Sequence, residues 1–184
     1  MWKLDKEVYR LNENKVFLDH PKCRLTVGEN SILAKVFFND HHVGYVVQGY
    51  VEFFVDTILE TSEGAVGKPV RKTGHQTFIY LSKQPPEMNL SPTGDKEFWA
   101  KAYSLCEKFF KQNEYRLHKG HIVAFPVGDK FEILVLKNNK LVYISLSKIF
   151  VSKMDHGVLL ENKRDARRVI TSAGEKTILM EMKF

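Results

Sequence analysis

Two clusters of basic residues are the parts of the sequence best suited to binding an anionic partner. Their members are Lys68, Arg71 and Lys72 in the first basic cluster, and Lys163, Arg164, Arg167 and Arg168 in the second. If the second segment is helical, positions four apart share one face, which would give a broad patch for phosphates. A solvated charged turn also fits this composition, so both interpretations of the second cluster stay open.

The first basic cluster adjoins a glycine-rich segment, GAVGKP, at 64–69. A P-loop requires GxxxxGK followed by Ser or Thr, because that hydroxyl binds magnesium. Here the glycines are three residues apart and Pro69 replaces the hydroxyl, so a P-loop is not predicted. Together with His75, the cluster is predicted to form either an anion-binding rim or a simple turn.

A long β-type stretch at 42–60 offers a second kind of candidate site. Alternation places one set of side chains on a common apolar face, namely Val43, Tyr45, Val47, Val51, Phe53 and Val55. The opposite face carries polar groups that could line a ligand cavity: Gln48, Tyr50, Glu52 and Asp56. The alternative is a solvated outer face. Glu52 and Asp56 would lie about 13 Å apart along a strand, too far to share a proton.

Histidines and cysteines give no metal or catalytic motif. Asp40, His41, His42 and His75 are residue types that bind zinc or iron, but adjacent histidines on an extended chain point to opposite sides. We therefore predict a polar turn, with no metal site and no cofactor. Cys23 and Cys106 lack CxxC or Cys/His spacing, and no serine or cysteine lies in a nucleophile elbow. No catalytic residue is identified, and whether the protein is an enzyme stays open.

Composition is that of a folded globular protein with a basic surface. The 184 residues are 43% hydrophobic and carry a net charge of +6. This charge favours an anionic partner, although it is also within the range of ordinary basic surfaces. The polar start lacks the apolar core of a signal peptide, and no stretch is long enough to span a membrane. A soluble, cytoplasmic protein is expected.

Strand patterns dominate the elements that must position these residues. Residues 95–113 have an apolar stripe at helical period, capped by Asp95 or Thr93, and form the one helix predicted. A meander is predicted at 121–127, 130–136 and 140–146. The expected fold is α+β: a mainly antiparallel curved sheet or partly open β-barrel with one long amphipathic helix. A single domain is expected, with a possible subdivision at the proline-rich linker 84–94.

Two functional hypotheses from different classes follow from these features. The first is a binding or assembly module for an anionic partner, either nucleic acid or a phosphorylated ligand. The alternative is a small-ligand-binding barrel or enzyme whose cavity is lined by the polar face of the stretch at 42–60. A homodimer formed through an exposed sheet edge is also expected to be possible, because many strands leave an edge to cover.

Overall fold

The computed structural model describes residues 1–56, 60–61, 64–65, 69–113, 120–138, 140–144, 149–151, 167–171 and 174–178. In chain order the elements are β1 (Trp2–Leu11), β2 (Lys15–His20), β3 (Cys23–Val27), β4 (Ile32–Phe38), β5 (His41–Val55), β6 (Glu60–Thr61), β7 (Gly64–Ala65), β8 (Val70–Ser82), β9 (Leu90–Pro92), α1 (Lys96–Asn113), β10 (His121–Val127), β11 (Lys130–Lys137), β12 (Lys140–Ile144), β13 (Ile149–Val151), β14 (Arg167–Thr171) and β15 (Gly174–Ile178). The predicted α+β class and the meander β10-β11-β12 are confirmed.

The described strands form one large antiparallel sheet and two separate hairpins. The large sheet runs in the order β13-β12-β11-β10-β8-β5-β4-β1-β9, and β3, which pairs with β2, also pairs with β5. The separate hairpins are β6 with β7 and β14 with β15. The large sheet is open: its path begins at β13 and ends at β9 without closing into a barrel.

The strand β5 is the longest described strand, and its two halves have different neighbours on one side. Its first half pairs with β4, its second half pairs with β3, and β8 lies along the other side from Gly44 to Val55. The strands β4 and β5 form a hairpin. It turns through Asn39 and Asp40, both at positive φ, as a two-residue hairpin loop requires.

Gly49 marks the junction between the two halves of β5. A side chain at this position would overlap Ser31, which is buried in the connection between β3 and β4. The Ser31 hydroxyl donates a hydrogen bond to the Gly28 carbonyl at 2.7 Å. Glycine is therefore needed here because another stretch of chain approaches the strand closely.

Helix α1 packs against one face of the sheet, and both the helix and its cap are confirmed. The Asp95 carboxylate accepts a hydrogen bond from the Phe98 N–H at 2.9 Å, which satisfies one free donor of the first turn. Phe98, Ala102, Cys106 and Phe109 of the predicted stripe are buried. They belong to the helix-side core, which also includes Val8, Val36, Val46, Ile79, Leu81, Ile122 and Ile133.

The opposite face of the sheet carries a second core that is rich in rings. This aromatic core includes Phe17, Tyr45, Phe53, Phe78, Tyr80, Phe125 and Tyr143. Phe17 of β2 packs edge-on against Tyr80 of β8 at 5.1 Å between ring centroids. The sheet is therefore buried on both faces over much of its area.

A β-bulge overturns one prediction about β5. Val43 was predicted to share a face with Tyr45, but Val43 belongs to the helix-side core and Tyr45 to the aromatic core. The pairing of β4 with β5 is irregular between Val36 and Phe37, and an extra residue shifts the alternation by one. A similar irregularity between Leu4 and Val8 interrupts the pattern of β1, a strand that the sequence did not predict.

The segment of the first basic cluster, predicted as an anion-binding rim or a simple turn, includes the first half of a regular strand. From Val70 onward the chain is β8. Gly74 lies within this strand at a φ of 105°, a conformation that suits glycine, and glycine and basic residues had concealed the strand pattern.

The proline-rich segment 84–94, predicted as a linker, includes β9, which pairs with β1. Beyond it, β10 pairs with β8, so strands from both sides of the segment belong to one sheet.

Cys23 and Cys106 are free and buried. Burial raises the pKa of Cys23 to about 12 and also raises the pKa of Cys106, so both thiols stay protonated. In the part of the chain that the structure describes, no helix is long and apolar enough to cross a membrane.

Candidate functional site

The helix side of the sheet is covered by α1 at one end and uncovered at the other. In β5, Val46 lies in the helix-side core, whereas Tyr50 and Glu52, further along the same face, are exposed. We call the uncovered part, formed by β3, the second half of β5 and the first half of β8, the open face. Its residues are Arg24, Thr26, Tyr50, Glu52, Phe54, Arg71, Thr73 and His75.

Strand register arranges the open face in rows across the three strands. Arg24 of β3 is opposite Phe54 of β5, which is opposite Arg71 of β8. Adjacent strands are about 4.8 Å apart, so the two arginine backbones flank the phenylalanine across about 10 Å. The row therefore places one aromatic ring between two cations.

The second row contains one acid between two hydroxyls. Thr26, Glu52 and Thr73 are opposite one another in β3, β5 and β8. In the third row Tyr50 is opposite His75, and their rings meet edge to face at 6.3 Å between centroids. Tyr50 is 47% exposed, so its ring is accessible on the open face.

The two arginines of the first row are accessible to a ligand. The Arg71 guanidinium lies 5.1 Å from the centroid of the Phe54 ring, a cation–π distance. Arg24 and Arg71 are exposed, and neither forms an ion pair with any residue that the structure describes. With Glu52 and the threonines they line a shallow groove of about 570 Å³. A ligand would meet two exposed guanidinium groups beside an aromatic ring.

The first basic cluster is divided between the two faces of β8. Arg71 lies on the open face, whereas Lys72 points to the aromatic core. The Lys72 ammonium is 2.9 Å from a carboxylate oxygen of Glu132 and 5.2 Å from the centroid of the Phe125 ring. Because successive strand residues point to opposite faces, Arg71 and Lys72 do not form one anion-binding rim.

A partly buried polar network links three strands on the aromatic side. The Tyr143 hydroxyl donates to Glu132 at 2.6 Å, and Glu132 is paired with Lys72. Burial raises the pKa of Glu132, but these two hydrogen bonds and the charge of Lys72 outweigh burial, and the net direction is downward. A carboxylate held charged by two partners is suited to bridging β8, β11 and β12.

The polar positions predicted to line a cavity are divided between solvent and partly covered sites. Tyr50 and Glu52 are exposed on the open face, and Gln48 and Asp56 are half-buried at either end of it. Gln48 lies next to Gly49, where the helix cover ends, and the Asp56 N–H donates to the Lys22 carbonyl at 2.7 Å. The two exposed positions share the open face with Arg71.

The second basic cluster lies largely outside the described residues. Arg167 and Arg168 belong to β14, where they pair with Ile178 and Thr177 of β15. The helical stacking considered for this segment does not apply to two residues in a strand. Lys163, Arg164 and, from the first cluster, Lys68 lie outside the described ranges.

The histidines predicted near the β4–β5 turn have separate environments. His41 is exposed, and His42 is half-buried with its Nε2 atom 2.9 Å from the Gly44 carbonyl oxygen. Burial lowers the pKa of His42. His75 lies on the open face, and within the described ranges no three His, Cys, Asp or Glu residues are grouped to hold a metal ion.

Sequence reasoning missed Arg24 as a site residue. The segment CRLTV forms β3, and Cys23, Leu25 and Val27 are its buried positions. Arg24 and Thr26 alternate with them, so period-two alternation alone would have placed both on the other face. The pairing of β3 with β5 is non-local and could not be inferred from that pattern.

Comparison with known proteins found no matching family model, no similar curated protein and no similar solved structure. Inference about function therefore depends on the geometry of the open face itself.

Proposed function

We propose that this protein is a binding module that takes single-stranded nucleic acid on its open face. The observation that carries the proposal is the row Arg24–Phe54–Arg71, in which two exposed guanidinium groups that form no ion pair within the described ranges flank a ring. Proteins that bind single strands combine cationic grooves for the backbone with aromatic side chains on which bases stack. The net charge of +6 favours the same class of partner.

Two further features of the open face favour a single strand over a duplex. Phe54 and Tyr50 are four residues apart on one strand, about 13 Å, so two rings are available along one groove. In a duplex the base faces are stacked on one another and cannot reach such rings, whereas a single strand exposes them. Each stacked base contributes about 1–3 kcal/mol to binding.

The test is a fluorescence-anisotropy titration with labelled single-stranded DNA and RNA, and with the corresponding duplexes, at about 50 mM and 200 mM salt. We expect the single strands to bind more tightly. The double substitution Arg24→Ala and Arg71→Ala should weaken binding at least about tenfold, about 1.4 kcal/mol. It should also reduce the salt slope by roughly 0.7 for each phosphate that an arginine no longer neutralises.

The matched control removes two positive charges from the helix instead. Lys96 and Lys101 are exposed on α1, and their replacement by alanine changes net charge equally without touching the open face. If both double variants lose oligonucleotide affinity equally, net charge alone explains the effect and the proposed site is contradicted. Absence of binding by the unmodified protein at low salt would remove the proposal altogether.

A phosphorylated small ligand is the second candidate, because the groove volume of about 570 Å³ falls within the range of small-molecule pockets. This candidate shares Glu52 and Tyr50 with the ligand-binding or enzyme alternative. A competition experiment distinguishes the two functions. If a nucleoside monophosphate displaces the oligonucleotide at an equal concentration, the small ligand is favoured. A mononucleotide that competes only at far higher concentration supports strand binding.

Assembly through a sheet edge stays a separate prediction. The strands β13 and β9 end the described path of the large sheet, and an unpaired edge can pair with a second copy. Sedimentation equilibrium across a range of protein concentrations would measure this directly.

A further inference from the structure

We infer that Glu52 makes the open face select bases that carry an amino group, so that cytosine is preferred to thymine or uracil. This inference rests on the proposed binding of single-stranded nucleic acid. It adds to that function a residue that determines base preference.

Glu52 lies beside the ring on which a base would stack. It is two residues from Phe54 on the same face of β5, which is about 7 Å along the strand. A base stacked on Phe54 extends beyond the ring, and its hydrogen-bonding edge would then reach toward the Glu52 row. That row consists of Thr26, Glu52 and Thr73 across three strands.

The carboxylate has unused acceptor capacity. Glu52 is exposed, and it forms no ion pair with Arg24, Arg71 or any other residue in the described ranges. An ionised carboxylate only accepts hydrogen bonds, so its partner must be a donor. Cytosine presents an amino group with two N–H donors, as adenine and guanine also do, whereas thymine and uracil present a single ring N–H between two carbonyl oxygens that the carboxylate would repel.

Charge provides an independent reason to assign Glu52 to a base. On a surface that binds only phosphate, an acid in the row adjoining two arginines would weaken binding by repulsion. At the edge of a stacked base the same acid gains a hydrogen bond. The flanking threonines accept and donate equally well, so they do not discriminate between bases. Of the three side chains in this row, the Glu52 carboxylate is the one that acts only as an acceptor.

The test compares oligo(dC) with oligo(dT) of equal length by fluorescence anisotropy at low salt. Both bases are pyrimidines, so differences in stacking are kept small. We expect the unmodified protein to bind oligo(dC) at least about fivefold more tightly than oligo(dT). In Glu52→Gln the amide can donate as well as accept, so this ratio should fall close to one. Affinity for both strands should rise because a negative charge is removed.

The control is Glu107→Gln, which removes a charge from the exposed side of α1, away from the open face. It should leave the ratio of the two affinities unchanged. If Glu52→Gln strengthens binding to both strands equally and the ratio is unaltered, Glu52 acts only through its charge and the inference is wrong. Failure of both strands to bind the unmodified protein would instead overturn the proposed function, so the two failures are distinguishable.

Discussion

The two halves of β5 have the same alternating sequence pattern but different surroundings. In the first half Val46 lies in the helix-side core while Tyr45 and Val47 lie in the aromatic core, so both faces are buried. In the second half Phe53 is 1% exposed in the aromatic core, while Tyr50 on the opposite face is 47% exposed. The difference arises because α1 covers only one end of the sheet, and the uncovered end holds the candidate site.

The largest expected effect comes from adjacent phenylalanines on opposite faces. Phe53→Ala should lower the free energy of unfolding by about 3–5 kcal/mol, because it leaves a cavity in the aromatic core. Phe54→Ala should lower it by about 1 kcal/mol or less, since its ring is partly exposed, yet should weaken oligonucleotide binding. Urea denaturation of both variants gives the comparison. Equal losses of stability would show that the open face is covered in solution.

Arg71 and Lys72 are also adjacent residues on opposite faces, and they allow the open face and the aromatic core to be compared with charged side chains. Lys72→Met should lower the free energy of unfolding by about 1–3 kcal/mol, because it leaves the Glu132 carboxylate without its cation in a partly buried site. Arg71→Met should change stability by only about 0.5 kcal/mol or less, and should reduce binding of single strands. If Lys72→Met impaired binding and left stability unaltered, the assignment of the two faces of β8 would be contradicted.

A smaller effect is expected when the helix cover is loosened at its start. Asp95→Ala removes the carboxylate that accepts the Phe98 N–H, and should lower the free energy of unfolding by about 1 kcal/mol. Oligonucleotide affinity should be unchanged, since α1 lies over the other end of the sheet. Thermal unfolding and anisotropy on the same preparation measure both quantities. A loss of affinity comparable to that of the arginine variants would mean that the two regions are not independent.

The smallest effect concerns acid pH. The folded-state pKa of Glu132 is lowered from its usual value of 4.5, so its contribution is present above that value and is lost as pH falls through the folded pKa. The difference in unfolding free energy between the unmodified protein and Glu132→Gln should therefore shrink from neutral pH toward about pH 3. A constant difference across this range would contradict the downward shift.

The comparison with Glu132→Gln is needed because the stability of the unmodified protein alone does not isolate the effect of the Glu132 carboxylate. Burial lowers the pKa of His42 and of His121 below the usual value of 6.5. Their protonation in the unfolded chain already reduces stability as pH falls below that value. Both variants in the comparison retain these histidines, so their effect cancels.

Local patterns were sufficient for most elements. The helix at 95–113, its cap at Asp95 and the meander after it follow from side-chain periodicity and turn residues, which act over a few positions. The elements that escaped prediction were interrupted locally. A bulge broke the alternation of β1, and glycine with basic residues concealed the first half of β8.

Individual members of the candidate site were also visible in the sequence, but not their grouping. Tyr50 and Glu52 were assigned to a cavity and Arg71 to a separate basic cluster, whereas all three lie on the open face. Lys72 was grouped with Arg71 by proximity in sequence, although the strand directs the two side chains apart. Arg24 was not considered because its neighbours in space are distant in the chain.

Neighbouring residues alone establish most of the strands, the helix, and the side chains that alternate along each regular strand. These properties depend on interactions over a few positions and therefore can be inferred locally. The long-range pairings are different: α1 covers one end of the sheet, and β3 and β8 lie on either side of the second half of β5. Those pairings join residues far apart in the chain, so they follow from the packing of the whole fold. They place Arg24, Phe54 and Arg71 in one row open to solvent.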